Sequence, residues 1–213
     1  GGGGGGGDDE TAGAVESLVV QCFDVVRILL ESRSEALFAQ ALRADLVAPL
    51  ITAALQLMQM TPAQERAWSA DPEEFVAQED DMTSMGNVRA AGCDLLLDLF
   101  GCCADGERPE LFAALVHAMW APVASGDAAR WRLRETALLA ICCCREPLLE
   151  PRLGPQPFHA ATALTALLTL LGTGPSGASV PSFLRGRAVC CVAALLPAAT
   201  AAHLTSIAAC VLG

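Results

Sequence analysis

The sequence predicts an all-α protein of stacked helix pairs, and three observations carry that prediction. Apolar residues recur at three- and four-residue steps, no strand-like run interrupts them, and an arginine recurs near the start of alternate helices. From Arg89 to Arg132 and from Arg132 to Arg185 the intervals are 43 and then 53 residues. Helix pairs repeating near 40 to 47 residues are the mark of a HEAT or armadillo-type right-handed α-α superhelix. The 213 residues suit one domain or a short run of such repeats, and 53% apolar against 17% charged residues exclude a disordered chain.

Each element has its own reason. Gly1–Gly7 followed by Asp8, Asp9 and Glu10 reads as a Gly-rich acidic tether, with residues 1–14 outside the packed part and order beginning near Val15. Val15, Leu18, Val19, Cys22, Val25, Val26, Leu29 and Leu30 form one helical stripe. A second helix is expected over Glu35 to Met60, with Pro49 bending it or marking its true start, and Thr61-Pro62 closing it. Val88, Ala91, Gly92, Leu95, Leu96, Leu99, Cys102 and Cys103 make the clearest stripe, with Ser84 as its expected N-cap.

Further helices read from Pro109 to Trp120, Asp127 to Cys144, Gln156 to Leu171, Pro181 to Leu196 and Thr200 to Leu212, divided by Gly, Pro, Ser and Asp. Residues 15–213 are thus expected to hold a leading second helix, three helix pairs and a trailing first helix, with an acidic loop over 71–83. Ala188 to Gly213 carries no Asp, Glu or Arg, but Pro197 and the polar residues after it fit two buried solenoid helices better than a membrane span. The Gly at position 1 and the lack of a leader are expected of an internal piece of a longer chain.

Charge narrows the partners. Thirteen basic residues oppose twenty-four acidic ones for a net charge of -11, which disfavours a nucleic-acid backbone and favours basic proteins. All thirteen are arginine, so neither a lysine Schiff base nor a Walker phosphate loop can form. His117, His159 and His203 belong to no metalloprotease motif, and no nucleophile converges with a base, so no catalytic residue, no metal ligand and no cofactor is expected. The cysteine runs Cys102-Cys103, Cys142-Cys143-Cys144 and Cys190-Cys191 lie in apolar helices, where neighbours point apart. They read as reduced core residues.

One stretch stands out. Between Asp71 and Asp81 lie six carboxylates, Asp71, Glu73, Glu74, Glu79, Asp80 and Asp81, and no base. Their mutual repulsion is expected to keep an open loop, which serves either as a solvated turn or as a docking strip for a basic protein.

With its approach, the stretch reads Trp68-Ser69-Ala70-Asp71-Pro72-Glu73-Glu74-Phe75-Val76, then Glu79-Asp80-Asp81. It resembles the importin-beta superfamily of nuclear transport receptors, in which a tryptophan, a D-P pair and an aromatic-aliphatic pair precede an acidic run. Val88-Arg89-Ala90-Ala91, Trp131-Arg132-Leu133-Arg134 and Leu184-Arg185-Gly186-Arg187 follow in the order of that family's segments. The resemblance implies a HEAT-repeat carrier that shuttles between cytoplasm and nucleus. It also implies Ran-GTP, basic cargo such as histones and ribosomal proteins, and Phe-Gly nucleoporins as partners, with no direct nucleic acid and no membrane. It marks the six carboxylates as Ran or cargo contacts and gives Trp68, Pro72 and Phe75 a structural role in the same motif. Arg89, Arg132 and Arg185 become second-helix residues that meet an acidic partner across a repeat interface. A HEAT scaffold subunit or an export receptor is the alternative.

Overall fold

The computed structural model describes residues 6–31, 44–80, 87–103, 108–150, 158–172 and 180–212. Among them there is no strand, and the chain is an all-α helical repeat solenoid. In order the helices are α1 (Gly6–Glu31), α2 (Ala44–Leu57), α3 (Pro62–Ala70), α4 (Pro72–Asp80), α5 (Val88–Gly101) and α6 (Pro109–Ala124). They continue with α7 (Trp131–Cys143), α8 (Arg145–Leu149), α9 (Ala160–Gly172), α10 (Ser182–Leu195) and α11 (Ala201–Leu212).

The helices lie in two layers. One contains α1, α5, α7 and α10, each packed on the next, and the other contains α2, α6, α9 and α11. Between the layers α2 meets α5 and α7, α6 meets α7, and α9 meets α10. The core follows the seam: Ile51, Leu55, Leu95, Leu99, Leu115, Leu138, Leu164 and Leu195 are all buried. Each such side chain contributes about 1.5 to 3 kcal/mol. Phe100 and Phe112, 5.3 Å apart and nearly perpendicular, tie α5 to α6.

Helix α7 is buried on every side. Leu133 to Ile141 form nine consecutive buried residues, because α5 and α10 flank the helix while α2 and α6 back it. It therefore lacks the solvent face of an ordinary amphipathic helix. Gly126, at φ 66°, makes the left-handed turn that leads from α6 toward it, and Asp127 caps the short 3-10 turn at Ala128–Arg130.

Several expectations change. Helix α1 starts at Gly6, so only residues 1–5 of the expected tether lie outside the described residues. Propagation from a formed helix is cheap, and Ala12, Ala14 and an acidic first turn favour it. Of the α1 stripe, Leu30 is buried with Phe23 against α5, whereas Val15, Leu18, Val25 and Leu29 are exposed. Pro49 lies inside α2 rather than starting it, and residues 32–43 of the expected second helix lie outside the described residues. The cap of α5 is Asn87, whose Oδ1 accepts from the Arg89 and Ala90 amides at 2.8 and 3.4 Å; Ser84 lies outside the described residues. No described helix is long and apolar enough by itself to cross a membrane.

Candidate functional site

The acidic stretch is not an open loop. Asp71 to Asp80 form a cap and a helix, and with α3 they make a hairpin inserted between α2 and α5. Its sequence explains it. Thr61 and Gln64 form a reciprocal capping box: Thr61 Oγ1 accepts from the Gln64 amide at 3.2 Å, and Gln64 Oε1 accepts from the Thr61 amide at 2.9 Å. Pro62 takes the first helical position.

Asp71 then serves both helices. Its amide donates to Ala67 O at 2.9 Å, closing α3, while its Oδ1 accepts from the Glu73 and Glu74 amides at 3.1 and 3.2 Å, opening α4. Pro72 again follows the cap, and Glu73 and Glu74 sit in the first turn, where the helix dipole favours negative charge. That favourable interaction outweighs the repulsion expected to hold the stretch open. Residues 81–83 of the expected loop, including Asp81, lie outside the described residues.

The underside of the hairpin is aromatic. Trp68, 3% exposed, lies 5.0 Å from Phe75, and both meet Phe183, the second residue of α10, at 6.3 and 5.2 Å. Glu65 on α3 forms an ion pair with Arg132, the second residue of α7, and the Arg132 guanidinium lies 4.9 Å from the Trp131 ring. The hairpin thus leaves the chain ahead of α5 and is fastened to α7 and α10.

Beneath it three charged side chains are buried together. Arg89 Nη2 donates to Glu135 Oε1 at 2.8 Å and Nη1 donates to Oε2 at 3.1 Å. From the other flank Arg187 Nε donates to Oε1 at 2.9 Å, and Arg89 Nη1 also reaches Met58 O at 3.3 Å. Glu135 is fully buried, and Arg89 and Arg187 nearly so. Burial alone would push the Glu135 carboxyl up, but Arg89 and Arg187 overcome it and hold the group below the usual carboxylate range. The two guanidiniums face the aromatic layer, Arg89 6.0 Å from Trp68 and Arg187 6.0 Å from Phe75.

These contacts sort the expected residues. Asp71, Glu73 and Glu74 are exposed on the hairpin; Glu79 and Asp80 belong to α4 by their backbone. Trp68, Pro72 and Phe75 build the hairpin itself. Arg89 meets Glu135 of the next layer helix, whereas Arg132 turns to the hairpin. Arg185 is exposed and forms no ion pair among the described residues; Arg187, two positions on and buried, faces α7 instead. Sequence reasoning missed Glu135, Arg187, Phe183 and Glu65. The one available signal was spacing, since Glu135 stands 46 residues from Arg89 and 52 from Arg187, close to the arginine interval.

A concavity lies between α6 and α9. It encloses about 230 Å³ and is lined by Val116, His117, Trp120, Phe158 and His159 among others, with the Trp120 and Phe158 rings edge to face at 6.3 Å. His203, by contrast, is a clasp: Nδ1 accepts from the Thr200 amide at 3.1 Å, and Nε2 lies 3.0 Å from Thr165 Oγ1. Among the described residues no group of three or more His, Cys, Asp or Glu side chains could hold a metal ion.

The fold and the site together define a helical-repeat solenoid with an acidic hairpin fixed across neighbouring repeats. No protein-family model matches the chain. Over 159 residues it is 26% identical to importin-9 of Drosophila melanogaster, an alignment that covers 73% of this chain. The match spans only 15% of the length of importin-9.

Proposed function

We propose that this chain is a HEAT-type segment of a nuclear import receptor similar to importin-9. It acts by reversible binding of basic protein cargo, such as histones and ribosomal proteins, under the control of Ran-GTP, and no bond is made or broken. The observation that carries this reading is the anchored acidic hairpin, which presents Asp71, Glu73 and Glu74 to solvent from a base of packed aromatic rings. An exposed ion pair contributes only about 0.2 to 1 kcal/mol, so several held together supply a few kcal/mol, a fast encounter and steep salt dependence. The likeness to importin-9 and the net charge of -11 support the same reading.

The test is the affinity for a core histone dimer, followed by fluorescence anisotropy across a salt series. Neutralising the hairpin with Asp71→Asn, Glu73→Gln and Glu74→Gln weakens binding by roughly tenfold at low salt and flattens the salt slope. Unchanged affinity and slope would contradict the assignment. For the shuttling step, the apolar cleft between α6 and α9 is the proposed seat of nucleoporin phenylalanines. Trp120→Ala then weakens capture on immobilised Phe-Gly repeats, and undiminished capture would remove the cleft from the account.

A further inference from the structure

Among the described residues three arginines are buried, Arg89, Arg134 and Arg187. Two of them share the Glu135 carboxylate; Arg134 does not. It is the fourth residue of α7 and only 9% exposed, and its Nε is buried with no hydrogen-bond partner. Its terminal nitrogens form no hydrogen bond or ion pair among the described residues, yet neither is closed off from water. Burial holds the guanidinium pKa below its ordinary value, with Asp127 acting against it but forming no ion pair with it. A buried cation in this state is costly to the fold unless an anion compensates it, and such a group calls for a use.

Its place supplies one. A helical side chain leans toward the start of its helix, so the Arg134 guanidinium lies over the first turn of α7. No side chain caps that end: Arg130 holds the N-cap position without a side-chain capping bond, and the dipole of the 13-residue helix favours negative charge there. Arg130 stands four residues before Arg134, on the same side of the run, exposed and without an ion pair among the described residues. Arg132, between them, turns to Glu65. Two guanidiniums thus face one carboxylate, Asp127, whose Oδ1 already accepts from the Ala129 amide at 2.9 Å. In a chain of net charge -11 this is a local excess of positive charge.

We propose that the start of α7 is a binding site for an oxyanion of the phosphate class, seated on the terminal nitrogens of Arg134 and Arg130. A guanidinium fork donates two parallel bonds to neighbouring oxygens, and a tetrahedral phosphate group has further oxygens for a second guanidinium and for the helix start. A single carboxylate fills one fork and leaves the other open. Free phosphate and a phosphorylated side chain present the same group, and the experiment separates them.

The full chain carries nitrogen-15 in its arginines, and the Arg134 Nε–H signal is assigned by its loss in Arg134→Met. Inorganic phosphate is titrated against chloride at constant ionic strength. The Arg134 signal shifts and saturates, while that of exposed Arg185 on α10 stays in place. In chloride, Arg134→Met is at least as stable as the parent, because it removes a buried charge and keeps a packed chain. In about 50 mM phosphate the thermal midpoint of the parent rises by about 3 °C over chloride, the increment vanishes in Arg134→Met, and Arg130→Gln reduces it. A short neutral peptide bearing phosphoserine that reproduces the Arg134 shift at lower concentration than phosphate supports the side-chain source; a shift with phosphate alone supports the free anion. No saturable Arg134 shift with either probe overturns the proposal. So does an equal gain in parent and Arg134→Met, which is the general effect of phosphate on protein surfaces, and so does a loss of stability of Arg134→Met in chloride, which would place the compensating partner inside the fold.

Discussion

Arg89 holds Glu135 with both terminal nitrogens, at 2.8 and 3.1 Å, across the contact between α5 and α7, with neither side chain open to water. Arg187 shares the same carboxylate from the far side at 2.9 Å. One acid thus joins three successive helices of the layer, and the aromatic underside of the hairpin closes over the cluster.

Removing the acid alone is therefore costly. Glu135→Leu takes from two buried guanidiniums the carboxylate they share and is expected to destabilise the fold by about 3 to 5 kcal/mol in urea titration. Replacing the whole cluster by Arg89→Met, Glu135→Leu and Arg187→Met removes the two buried positive charges as well, and is expected to recover most of that loss. A triple variant no more stable than Glu135→Leu would contradict the cluster's role as a mutually compensated unit.

The same cluster sets an acid limit. Glu135 has its carboxyl depressed in the folded chain, so its stabilisation is present above the unfolded value of about 4.3 and is lost as pH falls through the lower folded value. The thermal midpoint should hold down to about pH 5 and drop below about pH 4. The drop should be shallower in Glu135→Gln than in the parent chain. Parallel curves would assign the acid transition to other carboxylates.

Gly92 is fixed by a close approach rather than by its backbone angle. A Cβ placed there would lie 2.4 Å from Met58 Sδ and 2.5 Å from its Cγ, and Met58 is fully buried. Gly92→Ala should cost about 1 to 3 kcal/mol through overpacking. Combining it with Met58→Val should cost less than the two changes summed, because the second makes room for the first. Strict additivity would mean that the two side chains do not compete for the same space.

The hairpin depends on Asp71 as a cap, separately from its charge. Asp71→Ala should lose about 0.5 to 2 kcal/mol and raise protease sensitivity near residue 71, whereas Asp71→Asn keeps the cap and should cost little. Equal losses for the two variants would show that the charge, not the cap, holds the turn.

Much of the solenoid was legible because helix periodicity and capping are local. The stripe over Val88 to Cys103 and the boundaries near Pro109 and Thr200 follow from apolar spacing, Pro and polar caps. The helix over Pro72–Asp80 was legible too, since Asp-Pro-Glu-Glu is a helix start, but counting repulsion between six carboxylates hid it. The buried cluster was not legible. Arg185 and Arg187 both follow apolar or small residues on α10, and which one turns inward is decided by the phase of the helix against its neighbour. Glu135 lies between Arg134 and Thr136 on α7, and nothing local shows that two arginines, 46 and 52 residues away in sequence, converge on it.

The most direct measurement is hydrogen–deuterium exchange of the chain alone and with a bound core histone dimer. Slowed exchange concentrated in residues 62–80, extending to the first turns of α7 and α10 where Arg132 and Phe183 anchor the hairpin, is the expected result. Binding that protects only the layer of α6, α9 and α11, leaving the hairpin unchanged, would contradict the claim that the anchored acidic hairpin is the docking surface.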